Sequence, residues 1–156
     1  MSSLFSLINF EEGWRERPYL CSEGYPTVGF GFRIGPKGAD IKLYQFTLPL
    51  KAGEAWLGEF INKLESDMRK FPNLAAAMEA CSQYPARYAV LQSMAYQMGP
   101  QGLANFKNTL SAVANGNWNK AAAGMLDSRW AKQTPNRAKR HAQQMRTGEW
   151  AKEYGV

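Results

Sequence analysis

The chain has 156 residues, 45% hydrophobic and 21% charged, with 19 Lys and Arg against 13 Asp and Glu, giving a net charge of +6. That balance excludes a disordered chain, and the length points to one domain, in one lobe or two, burying roughly two-thirds of its unfolded surface. Two cysteines are too few for a disulfide framework, a single histidine cannot complete a Cys/His metal cage, and no stretch reaches the roughly 18 apolar residues that span a bilayer, so neither a metal nor another cofactor is expected.

The opening stretch MSSLFSLINFEEGW carries no basic leader, which predicts no secretory signal and residence in the cytoplasm. Leu4, Phe5, Leu7 and Ile8 recur at helical intervals and predict a short helix ending near Glu12 and Gly13; its phase does not separate Glu11 from Glu12. From Pro18 to Ile34, aromatic and β-branched residues punctuated by Gly24 and Pro26 predict short antiparallel strands with tight turns. Within TVGFGFRI, Val28, Phe30, Phe32 and Ile34 alternate with Thr27, Gly29, Gly31 and Arg33. On a strand the second set would present nearly bare backbone beside Thr27, where a ligand can approach closely.

Ala52 to Phe71, stopped by Pro72, places Trp56, Phe60, Leu64 and Met68 at every fourth position. This predicts one helix of about 30 Å, enough to join two small lobes. Later segments all have helical period: Leu74 to Cys81, Val90 to Met98, Leu103 to Val113 and Trp118 to Leu126. The last helix has legible ends, with Thr134 as N-cap, Pro135 at the first position and Gly148 beyond the last turn. The expected fold is α+β and mainly helical. A small lobe with a β-hairpin (about 13–60), a connecting helix (52–71) and a helical lobe (1–12 with 72–156) make up a single domain.

The chemistry concentrates in EGWRERPYLCSEGYPTVGFG, where eight residues separate Glu12 from Cys21 and five separate Cys21 from Thr27, with Gly29 and Gly31 following. Here the chain resembles the phage lysozyme family, the endolysins of the T-even type, whose catalytic pattern is Glu, then Asp or in some members Cys, then Thr at this spacing. QMG at Gln97–Gly99, NF at Asn105–Phe106, SRW at Ser128–Trp130 and QTPNRAKR at Gln133–Arg140 follow in the same order as in that family. The likeness covers nearly the whole chain except about 35–49.

The resemblance implies a lysozyme-like fold and hydrolysis of the β-1,4 link between N-acetylmuramic acid and N-acetylglucosamine in bacterial peptidoglycan, with the sugar strand between the lobes. Glu12 would be the general acid, kept protonated by burial and donating to the leaving glycosidic oxygen; Glu11 lacks the spacing. An inverting hydrolase leaves roughly 6.5–9.5 Å between acid and base for a water. Cys21 stands where the family's Asp serves that water, and Thr27 would help to hold it. A free thiol is only a few per cent ionised at about pH 7. Three accounts stand open: a cation lowers the thiol's pKa, Cys21 mainly orients the water, or Cys21 attacks the sugar directly. A fourth reading makes Cys21 a small buried hydrophobe.

The substrate-binding residues implied are Gly31, Tyr96, Gln97, Met98, Thr109 and Arg137. Arg137 matches an arginine that in the family pairs with the catalytic acid, although a cation there favours the ionised carboxylate. The chain departs from the pattern at Phe32, where the family often has His, and at Gly124, where a polar sugar-contacting side chain is expected.

A pI near 9.4 favours a polyanionic partner such as nucleic acid, anionic lipid or the bacterial wall. NRAKRH with five tryptophans could make a nucleic-acid face, but Trp118, Trp130 and Trp150 lie on apolar helical stripes. A non-catalytic wall-binding module and a Cys21–His141 protease are further alternatives, the latter lacking its local Cys motif. Cys81 shares a stripe with Leu74, Ala77 and Met78, as a buried structural thiol would. The expectation is therefore a monomeric endolysin that acts on peptidoglycan, binds no nucleic acid and does not insert stably in membranes. By resemblance, it waits in the host cytoplasm and reaches the wall through a holin-dependent permeabilisation.

Overall fold

The computed structural model describes residues 2–156. The chain forms two compact units, one ending at Phe60 and the other Ile61–Val156, with the boundary inside one long helix.

The first unit opens with α1 (Ser3–Glu12). The Ser2 hydroxyl oxygen accepts from the Phe5 N–H, and the helix ends where the Gly13 N–H donates to the Asn9 carbonyl at 2.9 Å. Three antiparallel strands follow in the order β1 (Arg15–Leu20), β2 (Pro26–Gly29) and β3 (Phe32–Arg33). Tyr19 pairs with Thr27, Leu20 with Pro26 and Val28 with Phe32, and the first ladder carries an irregularity between Arg15 and Tyr19.

TVGFGFRI is thus not one strand with a glycine face. It folds back on itself through Phe30 and Gly31, and Gly29 and Gly31 take φ of +69° and +85°, the left-handed region that favours glycine. Both sides of β2 are covered: Thr27, Val28 and Gly29 are all buried. Trp14 packs on Phe30 with ring centres 4.8 Å apart, and Phe32 stacks on Trp56 at 4.4 Å. Between the sheet and the long helix the chain is irregular apart from a 3-10 turn at Ile41–Leu43. It is tied down by Gly38 N–H to the Gly24 carbonyl and Leu48 N–H to the Glu16 carbonyl.

The long helix, α2 (Leu50–Met68), begins two residues earlier than predicted and ends three residues earlier. Pro72 does not stop it but supplies the first turn of α3 (Pro72–Ala80), a position where a missing N–H costs nothing. Its buried stripe is Leu57, Ile61, Leu64 and Met68, whereas Trp56 and Phe60 remain 39% and 40% exposed.

The second unit continues with α4 (Pro85–Ala104), α5 (Lys107–Ala114), α6 (Trp118–Leu126), α7 (Arg129–Gln133), α8 (Pro135–Thr147) and a 3-10 turn at Lys152–Tyr154. α6 lies between α5 and α8, and α3 packs on α5. Gly99, at φ +80° and ψ 158°, breaks α4 into 85–98 and 100–104, and Pro100 opens the second piece. The predicted stripe from Leu103 to Val113 is therefore split, Leu103 closing α4 and α5 beginning at Lys107. The short α7 has no counterpart in the sequence reading. Thr134 occupies the cap position of α8 without capping it: its hydroxyl donates back to the Trp130 carbonyl at 3.0 Å. At the other end Arg87 donates to the Met145 and Arg146 carbonyls, satisfying C-terminal acceptors with a cation placed to suit the helix dipole. No helix among the described residues is long and apolar enough to cross a membrane.

Candidate active site

The first unit gathers Glu12, Cys21 and Thr27 around the β1–β2 hairpin. Glu12 is the last residue of α1 and is only partly buried, so it is not enclosed in an apolar pocket. Cys21 directly follows β1 in a tight turn, in which its N–H donates to the Tyr25 carbonyl at 3.0 Å and its carbonyl accepts from Gly24 N–H at 2.9 Å. Thr27, on β2, is 2% exposed and donates its hydroxyl to the Tyr25 carbonyl at 2.8 Å. Cys21 is partly exposed, not a buried core residue.

The Tyr25 backbone amide is the main group that lowers the Cys21 thiol below its ordinary value of 9.0. Partial burial opposes it, while the Glu23 amide, the Thr27 hydroxyl and the positive charge of Arg33 reinforce it. All four lowering groups favour the thiolate by donating hydrogen bonds or positive charge to sulfur. Arg33 is itself oriented by an ion pair with Glu23 and by the Tyr25 ring, 4.0 Å from its guanidinium carbon. A cation is therefore present, but as the smallest contributor; the amides of the turn do most.

Tyr19 is the residue that sequence reasoning missed. Burial raises its phenol above the ordinary range; Arg15 works against that shift, and the negative charges of Cys21 and Glu12 add to it. Its hydroxyl thus senses both groups at once. The only sequence signal was its place two residues before Cys21 on a strand otherwise lined with charge. Gly31, named for substrate contact, sits exposed in the β2–β3 turn, with nothing within 4 Å of where a Cβ would stand.

Tyr96, Gln97, Met98, Thr109 and Arg137 belong to the second unit. The first three form the last turn of α4 before its break at Gly99. Gln97 accepts at Oε1 from the Trp130 indole N–H at 2.8 Å, which fixes the amide so that its nitrogen carries the remaining donors. Met98 and Thr109 line a groove of about 520 Å³ together with Phe106, Gly124, Asp127 and Trp130. Thr109 is 8% exposed, and a Cβ on Gly124 would lie 2.5 Å from its hydroxyl oxygen. The missing polar side chain at 124 thus has a physical reason: the Thr109 hydroxyl already occupies that space.

Arg137 is buried and donates to the Ser93 carbonyl at 3.1 Å and to Ser93 Oγ at 2.8 Å. Ser93 Oγ also lies 2.7 Å from His141 Nε2, and His141 Nδ1 lies 3.2 Å from the Tyr154 hydroxyl. Complete burial, then the charges of Arg137 and Arg140, hold His141 well below its usual range, so the ring is neutral. With both nitrogens engaged, His141 has none left to act as the base of a protease pair. Cys81 is fully buried, and burial pushes its thiol up to about 11. Trp130 is buried, and Arg87 covers the Trp118 ring at 4.2 Å, which removes two rings from any base-stacking surface.

Residues 9–147 match the phage lysozyme family. The chain is 27% identical to the pre-baseplate central spike protein Gp5 of Enterobacteria phage T4 over 99% of its own length and 29% of that protein's. It is 28% identical to the probable T4-type lysozyme 1 of Dictyostelium discoideum, covering 95% of this chain and 96% of that one. The peptidoglycan hydrolase gp36 of Pseudomonas phage phiKMV is 28% identical over 86% of this chain and 14% of its own length. The chain thus spans less than a third of the two longer relatives and nearly all of the third. With a match that runs from the end of the first helix through the last, this chain belongs to the phage lysozyme family.

Proposed function

We propose that the chain is an endolysin that hydrolyses the β-1,4 bond between N-acetylmuramic acid and N-acetylglucosamine in bacterial peptidoglycan. The observation that carries this reading is that Cys21 and Thr27 share the β1–β2 hairpin, with the Cys21 thiol lowered by donors of its own turn, while Glu12 at the end of α1 and Cys21 both act on Tyr19 of the same hairpin. Glu12 protonates the leaving glycosidic oxygen as the bond breaks. Cys21, as thiolate, takes a proton from the attacking water, and Thr27 fixes where both stand. A hydroxyl has one proton, so the Thr27 O–H turns from the Tyr25 carbonyl to sulfur as the thiolate forms.

The groove walled by Met98, Phe106, Thr109 and Trp130 holds a saccharide ring or its substituents through apolar faces and a few polar atoms, as carbohydrate sites commonly do. The enzyme is held in the cytoplasm until a holin opens the membrane and then acts on the wall as a monomer.

Glu12→Gln keeps the shape and removes the transferable proton. Turbidity loss of permeabilised Gram-negative cells should slow by about 10²–10⁴-fold in that variant, the usual contribution of a positioned general acid. Mass spectrometry of digested peptidoglycan should show cleavage after N-acetylmuramic acid with a hydrolysed reducing end. Undiminished lysis by Glu12→Gln, or fragments cut in the stem peptide, would rule the reading out.

A further inference from the structure

The segment between the sheet and α2 carries a surface that the hydrolase reading does not use. Leu43, on the 3-10 turn, is 79% exposed, and Phe46 is 45% exposed. Next to them Ile41, Tyr44 and Phe46 face Arg17 and Pro18 of β1 across a groove of about 480 Å³. The segment is not loose: Leu48 N–H bonds the Glu16 carbonyl at 2.7 Å, and the Tyr44 hydroxyl fills the space where a Cβ on Gly35 would stand.

The segment and the strand beside it carry a net positive charge, with Asp40 capping the turn at the Lys42 N–H. Residues 15–51 hold six Lys and Arg against three Asp and Glu. Arg17 and Lys42 are both exposed, and neither has an ion-pair partner among the described residues.

An apolar side chain that projects almost entirely into water has no stabilising role in a folded chain, and single ones are common. Here Leu43 projects in this way and Phe46 is half-exposed beside it, on a held loop with the exposed cations Arg17 and Lys42 alongside. Exposed apolar side chains beside exposed cations match a fluid, negatively charged interface. Acyl chains accept the apolar groups while phosphates meet the cations. We propose that Leu43 and Phe46, with Arg17 and Lys42, form a docking surface for an anionic phospholipid bilayer, on which the protein rests peripherally without spanning it.

The test is co-sedimentation of the full chain with vesicles of phosphatidylglycerol and phosphatidylcholine, against vesicles of phosphatidylcholine alone. Binding should require phosphatidylglycerol and fall as salt is raised. Leu43→Ser with Phe46→Ser, and separately Arg17→Gln with Lys42→Gln, should each lower the partition about tenfold, matching the loss of two modest interfacial contacts. Lys132→Gln with Lys139→Gln removes the same total charge from exposed sites outside the loop and should leave binding within about twofold, because the proposal assigns binding to the loop's own cations and not to net charge. Equal binding to both vesicle types, or an equal loss in the Lys132 and Lys139 control, would overturn the proposal. So would unchanged binding by the two loop variants. Hydrolysis of solubilised peptidoglycan should be unaltered in the loop variants, so failure here and failure of the hydrolase reading are distinguishable.

Discussion

Cys21 poses the sharpest question at the scale of single residues, because a thiol must do what a carboxylate does more cheaply. A base works deprotonated, so the rate should rise with pH through the Cys21 pKa, which the Tyr25 and Glu23 amides, Thr27 and Arg33 hold below 9.0. In Cys21→Asp that rising limb should move to about pH 4, the ordinary carboxylate range. The variant should therefore outperform the parent most in acid and converge with it in alkali; parallel pH profiles would remove Cys21 as the base. The same lowering makes Cys21 the reactive thiol. Ellman titration of native protein should show one fast equivalent from partly exposed Cys21, and a second only on unfolding, since Cys81 is buried and pushed up to about 11. Two fast equivalents in the native state would mean that Cys81 is accessible after all.

At the scale of elements, the β2–β3 hairpin depends on its two glycines unequally. Gly29 has φ +69°, and a Cβ there would stand 2.9 Å from the Phe32 ring and 3.2 Å from Leu48. Gly31 has φ +85° but open space around it. Gly31→Ala should cost about 1–2 kcal/mol from backbone strain alone, and Gly29→Ala roughly 2–4 kcal/mol once crowding is added. Urea unfolding of the two variants checks the order, and equal losses would show that Phe32 yields without cost. The same hairpin marks the limit of reading by period. Val28, Phe30 and Phe32 alternate as a strand does, yet a chain that reverses after two residues keeps the alternation of composition while breaking the strand. In α2 the every-fourth ladder from Trp56 to Met68 was visible, but the face that is buried also takes Leu57 and Ile61, because 3.6 residues per turn carries a strict four-step ladder away from the core. The spacing of Glu12, Cys21 and Thr27 was legible since all three lie on consecutive local elements. Tyr19 and the Gly124–Thr109 fit were not, because each depends on which side chain occupies a given space after folding.

At the scale of the whole molecule, the buried His141 of Ile61–Val156 is one source of acid sensitivity. His141 is fully buried with both nitrogens engaged and is held well below its usual 6.5, so it stays neutral when folded. Unfolded, the same imidazole regains an ordinary value near 6.5 and binds a proton below it. Above that pH the two states bind protons alike and His141 adds no pH dependence. As pH falls below about 6.5 the unfolded state takes up a proton that the native state refuses, and stability drops by up to about 1.4 kcal/mol per pH unit until the folded value is reached. Trp130, its ring centre 6.0 Å from His141, is a built-in reporter of this interior. Urea unfolding followed by tryptophan fluorescence should therefore show a midpoint that is flat around neutrality and falls on acidification. His141→Gln should lower stability at neutral pH by about 1–3 kcal/mol through its broken bonds to Ser93 and Tyr154. Its acid slope should nonetheless be shallower than the parent's, because the group that discriminates between the two states is gone. An unchanged slope in that variant would place the acid sensitivity in the carboxylates instead. Arg137 shares Ser93 with His141, so acid that opens this network would also release the arginine that the hydrolase reading assigns to substrate. Loss of Arg137 by this route should therefore appear only at the lower pH where the native fold itself gives way, after the rate has already declined with protonation of Cys21.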